Sequence, residues 1–400
     1  MEARRTLFIY RDELLGPSET FIRAQGEALD RYRAFYLGLR RRPGLALPDL
    51  RVLIMSENTW AGRLQRARFK LLGPSNALRN VLASPQPALI HAHFGPDACS
   101  AMALARALEL PLVVTFHGYD VTRSDAGLPY LYVRRRNQLK AFGARFICVS
   151  DFIRQKAIER GFPPHKTIVH YTGIDTDLFC PNPAVPRLPI VLFVGRLIPQ
   201  KGCQFLIRAM ARVQEVFEEV RLVIIGDGSF RPVLEQQAAE GIKNYQFLGV
   251  QDPEAVKQWM NRAMILCAPS VTGEAGDTEG FGMVFAEAQA MGLPVVSFAS
   301  GGIPEVVADG QTGFLVREGD CQSLADKLLV LISDKDLWLK FSGSGQARVQ
   351  AQFDIWKQTS ALEGIYDSVL AERFRAPLNV KTRLEHEKLD ERQSVALTVK

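Results

Sequence analysis

The chain has 400 residues, of which 47% are hydrophobic and 23% are charged. This length fits two domains of about 150 to 200 residues better than one core, and the composition is that of a globular protein, which excludes disorder throughout. No stretch approaches about 20 consecutive apolar residues and no long apolar run follows the N-terminus, so we expect neither a membrane span nor a signal peptide.

In the first half, short apolar segments typical of strands alternate with more polar helical segments. The predicted strands are residues 7–10, 52–55, 88–92, 112–116 and 146–149. This order predicts a parallel sheet with helices on its faces. After Tyr171 the pattern gives way to a proline-rich stretch, and we place an interdomain linker at residues 181–189.

The second half repeats the same alternation. Its predicted strands are residues 190–194, 222–225, 245–248, 265–268, 294–298 and 313–316, and its predicted helices are residues 203–217, 230–239, 282–291 and 323–332. We therefore expect two doubly wound, Rossmann-like α/β domains at residues 1–180 and 190–375, followed by a charged tail at 376–400. Because open parallel sheets bind ligands at the carboxyl ends of their strands, the two domains would face each other across one cleft.

The first half carries the excess of positive charge. Residues 1–185 contain 26 Lys and Arg against 16 Asp and Glu, whereas residues 186–400 contain 23 against 27. A basic domain without a membrane span can bind anionic lipid or nucleic acid through electrostatic attraction. Within it, Trp60, Leu64, Ala67 and Leu71 recur at helical spacing among arginines. Two interpretations stay open: a basic amphipathic helix that lies on a membrane, or a surface helix that packs its apolar stripe on the core.

The six cysteines are scattered along the chain. They form no CxxC pair and have no neighbouring histidines at the spacing of metal ligands. We expect reduced thiols in the core, no metal site and a cytoplasmic protein.

The segment after the first strand of the second half is suited to a diphosphate. Gly195 and Arg196 follow that strand, and Lys201 and Gly202 stand just before a predicted helix. Backbone N–H groups at a helix N-terminus, together with two permanent cations, attract a diphosphate. The alternative is a pair of surface charges that flank a turn.

Two glycines follow the next strand of the second half. They are Gly226 and Gly228, but Arg231 stands where the dinucleotide motif has its third glycine, which disfavours a nicotinamide site. Gly226 is compatible with a tight turn beside a nucleotide pocket.

The most specific segment starts at Glu279. The sequence Glu279-Gly280-Phe281-Gly282-Met283-Val284 leads into a predicted helix that carries Glu287. The glycines let backbone amides approach a sugar or a phosphate closely. The two carboxylates are predicted to lie on nearly the same helical face, where they suit the hydroxyls of a sugar and of a ribose. A favourable helix dipole would explain the first acid structurally, but it would not explain the second.

In the first half, the candidate residues lie on predicted strands or directly after them. His117 ends the strand at 112–116, and His91 and His93 alternate on another strand, so their side chains face the same side. A satisfied core histidine is the alternative for each, and we favour His93 as a residue lining the cleft. The predicted acceptor side is completed by Asp120 and by the first-loop residues Ser18, Glu19 and Thr20.

Three motifs together resemble the family 4 retaining glycosyltransferases: Gly195-Arg196 with Lys201-Gly202, Glu279-Gly-Phe-Gly with Glu287, and Gly301-Gly302-Ile-Pro-Glu305. The resemblance implies the GT-B fold, a nucleotide diphosphate sugar bound in the second domain, and no need for a catalytic metal or another cofactor. It also implies that Arg196 and Lys201 neutralise the diphosphate, that Glu279 faces the sugar and Glu287 the ribose, and that His117 contacts the sugar or a phosphate. The predicted catalytic residues are then His117, Arg196, Lys201 and Glu279.

The first loop, Ser18-Glu-Thr-Phe-Ile22, resembles the branch of this family that acts in bacterial exopolysaccharide, colanic acid and lipopolysaccharide assembly. It lacks the glycine pair that many relatives carry there. The branch implies transfer of a hexose-type sugar to a hydroxyl of a glycan or lipid-linked acceptor, by an enzyme held peripherally on the inner face of the plasma membrane.

Two other functions stay open. One is a sugar-nucleotide epimerase on the same fold, and the other is a non-catalytic binding protein. A nucleic-acid binder would leave the two carboxylates and the cationic loop unexplained, so we expect no nucleic-acid partner.

Overall fold

The computed structural model describes residues 4–16, 19–42 and 44–375. Ser18 and the predicted tail at 376–400 lie outside the described residues.

The first lobe is built on a seven-stranded parallel sheet. Its strands are β1 (Arg5–Leu14), β2 (Tyr32–Arg41), β3 (Val52–Ile54), β4 (Pro87–His93), β5 (Leu112–Phe116), β6 (Arg145–Cys148) and β7 (Thr167–Val169), in the spatial order β3-β2-β1-β4-β5-β6-β7. Its helices are α1 (Thr20–Glu27), α2 (Trp60–Leu72), α3 (Asn76–Ala83), α4 (Gly95–Ala107), α5 (Tyr119–Thr122), α6 (Tyr130–Phe142) and α7 (Asp151–Glu159). The sheet order reverses between β1 and β4, which is where open sheets of this kind bind ligands.

The second lobe is built on a six-stranded parallel sheet. Its strands are β8 (Ile190–Val194), β9 (Arg221–Ile225), β10 (Tyr245–Gly249), β11 (Ile265–Cys267), β12 (Val295–Phe298) and β13 (Gly313–Val316), in the order β10-β9-β8-β11-β12-β13. Its helices are α8 (Cys203–Val216), α9 (Arg231–Gly241), α10 (Pro253–Arg262), α11 (Met283–Ala290), α12 (Ile303–Val306), α13 (Cys321–Ser333), α14 (Lys335–Gln352) and α15 (Ile355–Arg375). All six strands predicted for this half are present, and the reversal between β8 and β11 matches that of the first lobe.

The strands form where the sequence is apolar on both faces, because helices cover both sides of each sheet. All five residues of β5 are buried, for example. Some of the helices, among them α7 and α10, start at a side chain that accepts from a free backbone N–H group. Ser150 accepts from Ile153 at the start of α7, and Asp252 accepts from Ala255 at the start of α10. Short strand-to-helix connections of this kind place polar loops at the carboxyl ends of the strands.

Helix α15 returns from the second lobe to the first. Its residues Leu362, Tyr366, Val369 and Leu370 share one buried cluster with Leu7, Ile9 and Val113 of the first sheet. The Glu363 carboxylate accepts from the backbone N–H groups of Asp30 and Arg31 at 2.8 and 2.7 Å. The chain therefore crosses between the lobes twice, although the sequence-based division groups this helix with the second half.

All six cysteines are free thiols, and Cys99, Cys148, Cys203 and Cys267 are buried. Within the described residues, no helix combines the length and the apolar character that a bilayer crossing requires. Nor does the described part of the chain bring together three or more His, Cys, Asp or Glu side chains that could hold a metal ion.

Candidate active site

The predicted diphosphate loop lies at the carboxyl end of β8. Gly195 and Arg196 follow the strand, and Lys201 precedes α8. The Lys201 Nζ atom donates to Glu279 Oε2 at 2.5 Å, which joins two segments that are 78 residues apart. Gly226 touches the same loop: a Cβ atom added to it would lie 1.9 Å from the carbonyl oxygen of Gly195. The carboxyl ends of β8 and β9 thus meet tightly at the base of this loop.

Glu279 lies in an electrostatic setting that favours its ionised form. Burial by itself would raise the pKa of the Glu279 carboxyl, but the charge and hydrogen bond of Lys201, the charge of Arg196 and a hydrogen bond from Ser270 outweigh it. The net pKa lies below the ordinary value. Arg196 itself is exposed. Lys201 therefore pairs directly with this carboxylate, and the positive charge of Arg196 acts on it as well.

Helix α11 starts one residue after its predicted start at 282, and Glu279 lies before it as predicted. Gly282 has a positive φ of 83°, so the helix begins only at Met283 and Glu279 lies in the loop before it. The prediction that Glu279 and Glu287 lie on nearly the same helical face is therefore wrong. Phe281 is buried against Tyr171, so only its backbone is available to a ligand.

Met283 and Val284, in the first turn of α11, are half-buried. Glu287 lies in the second turn and is also half-buried. Burial raises the pKa of Glu287 to about 7, because no partner compensates for the loss of water around the carboxylate. A hydroxyl that donates a hydrogen bond to this carboxylate would stabilise its ionised form.

In the first lobe, His117 forms part of a stack of three histidines. His117 Nε2 and His93 Nδ1 are 3.0 Å apart, and the His93 ring also stacks on His91 with centroids 4.4 Å apart. His91 is a satisfied core histidine, since its nitrogens bond to Thr115 and Tyr366 at 2.6 and 2.8 Å. Burial lowers the pKa of His117 and of His93 well below the usual range. Both rings are therefore neutral at physiological pH.

Asp120 positions the loop that carries His117. One carboxylate oxygen accepts from the N–H groups of His117 and Gly118 at 3.2 and 3.0 Å, and the other accepts from Gly95 at 3.0 Å. Asp120 is fully buried, and burial raises its pKa to about 6. Because three backbone groups occupy its oxygens, this geometry favours a positioning role over direct contact with an acceptor.

The structure adds two residues that the sequence argument missed, Arg11 and Asp97. The Arg11 guanidinium lies 2.5 Å from Glu19 and 3.2 Å from Asp97, and it donates to the backbone oxygen of His93 at 3.3 Å. Arg11 directly follows the apolar run Leu7–Tyr10 within strand β1, a signal that the sequence does contain. Thr20, next to Glu19, is the first residue of α1. Glu19 and His93 are thereby brought together, while Ser18 lies outside the described residues.

The two lobes meet at the candidate site. A Cβ atom added to Gly280 would lie 1.9 Å from the carbonyl oxygen of His117, so only glycine permits this approach. Ser150 Oγ, in the first lobe, donates to the carbonyl oxygen of Gly280 at 2.6 Å. The loop that carries Glu279 therefore packs directly on the loop that carries His117.

Glu305 forms another contact between the lobes, called here the Glu305 clamp. Its carboxylate accepts from the N–H groups of Asp151 and Phe152 at 2.7 and 2.9 Å, at the N-terminus of α7. The Tyr171 hydroxyl donates to it at 3.1 Å. Glu305 belongs to the Gly301-Gly302-Ile-Pro-Glu305 motif, and the sequence alone does not reveal this contact between the lobes.

Two family models match the chain. Residues 28–178 match the model described as Glycosyltransferase Family 4, and residues 188–334 match the model described as Glycosyl transferases group 1. Among curated proteins, the putative colanic acid biosynthesis glycosyltransferase WcaL of Escherichia coli K12 is 31% identical over 290 residues, which cover 69% of this chain and 70% of that protein. The phosphatidyl-myo-inositol mannosyltransferase of Mycobacterium leprae is 33% identical over 285 residues, covering 70% and 73%.

Solved structures share the fold. The structure of Anabaena HepE in complex with UDP-glucose superposes with a TM-score of 0.75 at 23% identity and covers 92% of this chain and all of that one. The lipopolysaccharide outer core galactosyltransferase WaaB superposes with a TM-score of 0.64 at 18% identity, covering 91% and 99%. The paired sheets, the family models on adjacent halves and the coverage of the curated relatives agree: the chain belongs to the family 4 glycosyltransferases and has their GT-B fold.

Proposed function

We propose that this glycosyltransferase transfers a hexose-type sugar, with retention of anomeric configuration, from a nucleotide diphosphate sugar to a hydroxyl of a glycan or lipid-linked acceptor. The observation that carries the proposal is the Lys201–Glu279 pair, on which the charge of Arg196 also acts, in a loop that packs on the loop of His117. HepE is described in complex with UDP-glucose and WcaL is named for colanic acid biosynthesis, and both names support the donor class and a role in cell-surface polysaccharide assembly.

In the proposed reaction, the bond between the anomeric carbon and the diphosphate oxygen breaks while the acceptor oxygen forms a new bond to the same face of the sugar. Arg196 and Lys201 stabilise the charge that builds on the departing diphosphate. The proton of the acceptor hydroxyl leaves with that diphosphate. We propose that no metal is needed, since two permanent cations supply the charge that a metal would otherwise supply.

The carboxylates and His117 orient the donor in this proposal. Glu279, held ionised by Lys201, accepts from hydroxyls of the transferred sugar, and Glu287 accepts from the ribose. His117 is neutral, so it contacts the sugar or a phosphate as a hydrogen-bonding group and not as a cation. The neighbouring backbone amides of Gly280, Gly282 and the start of α11 face the diphosphate.

Membership in the glycosyltransferase family removes the support for the two other functions considered from the sequence. An epimerase would convert the donor without an acceptor, and a binding protein would convert nothing. Product analysis with and without acceptor tests this point directly, because a transferase consumes both substrates in equal amounts.

The test of the proposal combines ligand screening with two substitutions. A nucleoside diphosphate that binds only the folded protein raises its melting temperature, so a screen of bases identifies the donor nucleotide. With that donor, we expect Lys201→Ala and Arg196→Ala each to lower kcat about 100-fold or more, the usual loss when one group that stabilises transition-state charge is removed. Lys243→Ala, which removes an exposed lysine paired with Glu218, serves as the matched control. Unchanged turnover in both site variants would contradict the mechanism.

A further inference from the structure

The hydrogen bond between His93 and His117 has two possible positions for its proton. His93 Nδ1 and His117 Nε2 lie 3.0 Å apart. Burial holds the pKa of both rings well below the usual range, and the nearby charge of Arg11 lowers both further. Each ring is therefore neutral and carries one proton, on one of its two nitrogens. Either His93 donates to His117, or His117 donates to His93.

The other nitrogen of His93 distinguishes the two arrangements. His93 Nε2 is buried and has no hydrogen-bond partner among the described residues. If His117 donated, His93 Nε2 would carry a proton, and a buried N–H group would be left without an acceptor. Folded proteins leave buried acceptors unpaired more often than they leave buried N–H donors unpaired. The structure therefore favours the arrangement in which His93 Nδ1 donates and His93 Nε2 carries only its lone pair.

Aromatic neighbours restrain the ring of His117. Its centroid lies 4.5 Å from that of Phe94 and 5.0 Å from that of Phe21. Phe94 has a positive φ of 70°, a strained conformation for a bulky residue, and its N–H donates to the carbonyl oxygen of Thr115 at 2.8 Å. Strain of this kind persists where the surrounding contacts enforce it, and it is common at functional sites. These contacts restrain rotation of the His117 ring.

The second nitrogen of His117 is open to a ligand. Within the part of the chain that the structure describes, His117 Nδ1 has no hydrogen-bond partner, and unlike His93 Nε2 it is not sealed from solvent. Because His117 Nε2 accepts from His93 in the favoured arrangement, the single proton of the His117 ring lies on Nδ1. This nitrogen then has an N–H group to donate and no free lone pair.

We propose that His93 sets the tautomer of His117, so that His117 offers its Nδ1–H group as a hydrogen-bond donor to a ligand in the cleft. His93 is a positioning residue in this arrangement, since it acts through His117. The ligand atom that His117 binds is an acceptor, such as a hydroxyl or phosphate oxygen. With one nitrogen protonated and the other accepting from His93, His117 has no lone pair for the proton of an acceptor hydroxyl. The tautomer itself does not rest on the proposed function, but its use in substrate binding does.

The experiment is long-range ¹⁵N–¹H correlation NMR on the ligand-free full chain, labelled with ¹⁵N in histidine only. The nitrogen chemical shift separates a protonated ring nitrogen from one that carries a lone pair. At neutral pH we expect a protonated Nδ1 and an unprotonated Nε2 for His117. His170 is the internal control, because its Nε2 lies 2.8 Å from the carbonyl oxygen of Gln358 and a carbonyl can only accept. His170 and His117 should therefore show opposite patterns, and His117→Asn and His170→Gln identify their signals.

Substitution of His93 tests whether this residue sets the tautomer. His93→Asn keeps an N–H group near the position of the His93 Nδ1 atom, so His117 should keep the wild-type pattern. His93→Leu removes the donor, and the His117 Nε2 signal should move toward the shift of a protonated nitrogen. His165→Leu, at an exposed position, should leave the His117 signals unchanged. An unchanged His170 pattern shows that each variant is folded.

Transfer activity tests the use of the Nδ1–H group. The side-chain amide of His117→Asn can place an N–H group near the position of Nδ1. We therefore expect His117→Asn to be about tenfold more active than His117→Leu, the ratio that one hydrogen bond supplies.

Three results would overturn the proposal: a wild-type His117 protonated at Nε2, an unchanged His117 pattern in His93→Leu, or equal activities of His117→Asn and His117→Leu. A wild type without transferase activity would count against the proposed function and not against the tautomer, which is measured without any substrate.

Discussion

Burial and neighbouring charges affect the pKa values of Glu279, Glu287 and His117 in different ways. Lys201 and Arg196 hold the pKa of Glu279 down, whereas uncompensated burial raises the pKa of Glu287 to about 7 and lowers that of His117. At neutral pH, Glu279 is therefore ionised, His117 is neutral, and Glu287 lies close to its titration midpoint. All three lose water on folding, but Lys201 outweighs burial at Glu279, nothing offsets it at Glu287, and the charge of Arg11 adds to it at His117.

The raised pKa of Glu287 predicts a pH dependence of stability. A carboxyl whose folded pKa lies above its unfolded value binds its proton more tightly in the folded state, so its contribution to stability is present at low pH and is lost as pH rises toward about 7. We expect Glu287→Gln to melt at a higher temperature than the wild type at pH 8, with a smaller difference at pH 5. Thermal denaturation of the ligand-free protein measures this, and a difference that shrinks as pH rises would contradict it.

His93 is predicted to position His117. Loss of a buried hydrogen-bond partner costs enough to change a rate by about tenfold, so we expect His93→Leu to lower kcat by that amount. His93→Gln, which keeps a polar partner, should lose less. Affinity for the nucleoside diphosphate, measured by calorimetry, should fall less than kcat, because the predicted diphosphate loop lies in the second lobe. His165, which is exposed, supplies the control His165→Leu. An equal loss of diphosphate affinity would argue against a positioning role.

At the scale of elements, the site depends on how closely two loops approach. The loop before α11 packs on the loop after β5, and Gly280 lies where a side chain would meet the His117 carbonyl oxygen. The sequence marks this position only as a glycine in a loop, whereas the contact depends on two lobes docked together.

Adding a methyl group at position 280 tests that contact. We expect Gly280→Ala to lower kcat about 100-fold, because a displacement of about 1 Å between reacting groups has that effect. The control is Gly343→Ala in α14, where a Cβ atom meets nothing within 4 Å. That variant should be active and more stable by about 0.5 to 1 kcal/mol, since alanine is favoured over glycine inside a helix. Steady-state kinetics measures the activity of both variants, and thermal denaturation measures their stability. Full activity of Gly280→Ala would contradict the close contact between the Gly280 loop and the His117 loop.

At the scale of the whole molecule, helix α15 and Glu305 add to the Ser150–Gly280 contact in holding the lobes together. Helix α15 anchors the end of the described chain on the first sheet through Glu363 and Tyr366. Glu305 reaches from the second lobe to the N-terminus of α7, where a carboxylate is favoured by the helix dipole and by free backbone N–H groups. Closure of the cleft therefore depends on contacts far from the donor loop as well as on the site itself.

Removing the Glu305 clamp should open the molecule. We expect Glu305→Ala to increase the radius of gyration in small-angle X-ray scattering and to lower kcat, with an unchanged far-UV circular dichroism spectrum. Glu254→Ala, which removes an exposed carboxylate that pairs with Lys257, should behave as the wild type. A radius equal to that of the wild type would contradict the prediction and would mean that α15 and the Ser150–Gly280 contact are sufficient to hold the lobes closed.

Much of the architecture could be predicted because it is local. The six strands of the second lobe are apolar runs of a few residues between turn formers. Runs of this kind can be recognised as strands from the sequence. Strand β2 is not predicted from the sequence, because arginines lie on both sides of its apolar centre and make the segment polar on average. These arginines are Arg31, Arg33, Arg40 and Arg41. The return of α15 to the first lobe could not be predicted, since nothing within residues 355–375 records which sheet they cover.

The sequence by itself determined the two doubly wound halves, the cationic loop after β8 and the acidic segment that starts at Glu279, because each is a pattern of neighbouring residues. Only the tertiary structure decided that Lys201 pairs with Glu279, that His93 bonds to His117 and that the apolar stripe of α2 faces outward instead of packing on the core. The reason is physical: strand order and lobe docking bring together residues far apart in the chain, and the direction of a helix face depends on the surface against which it packs.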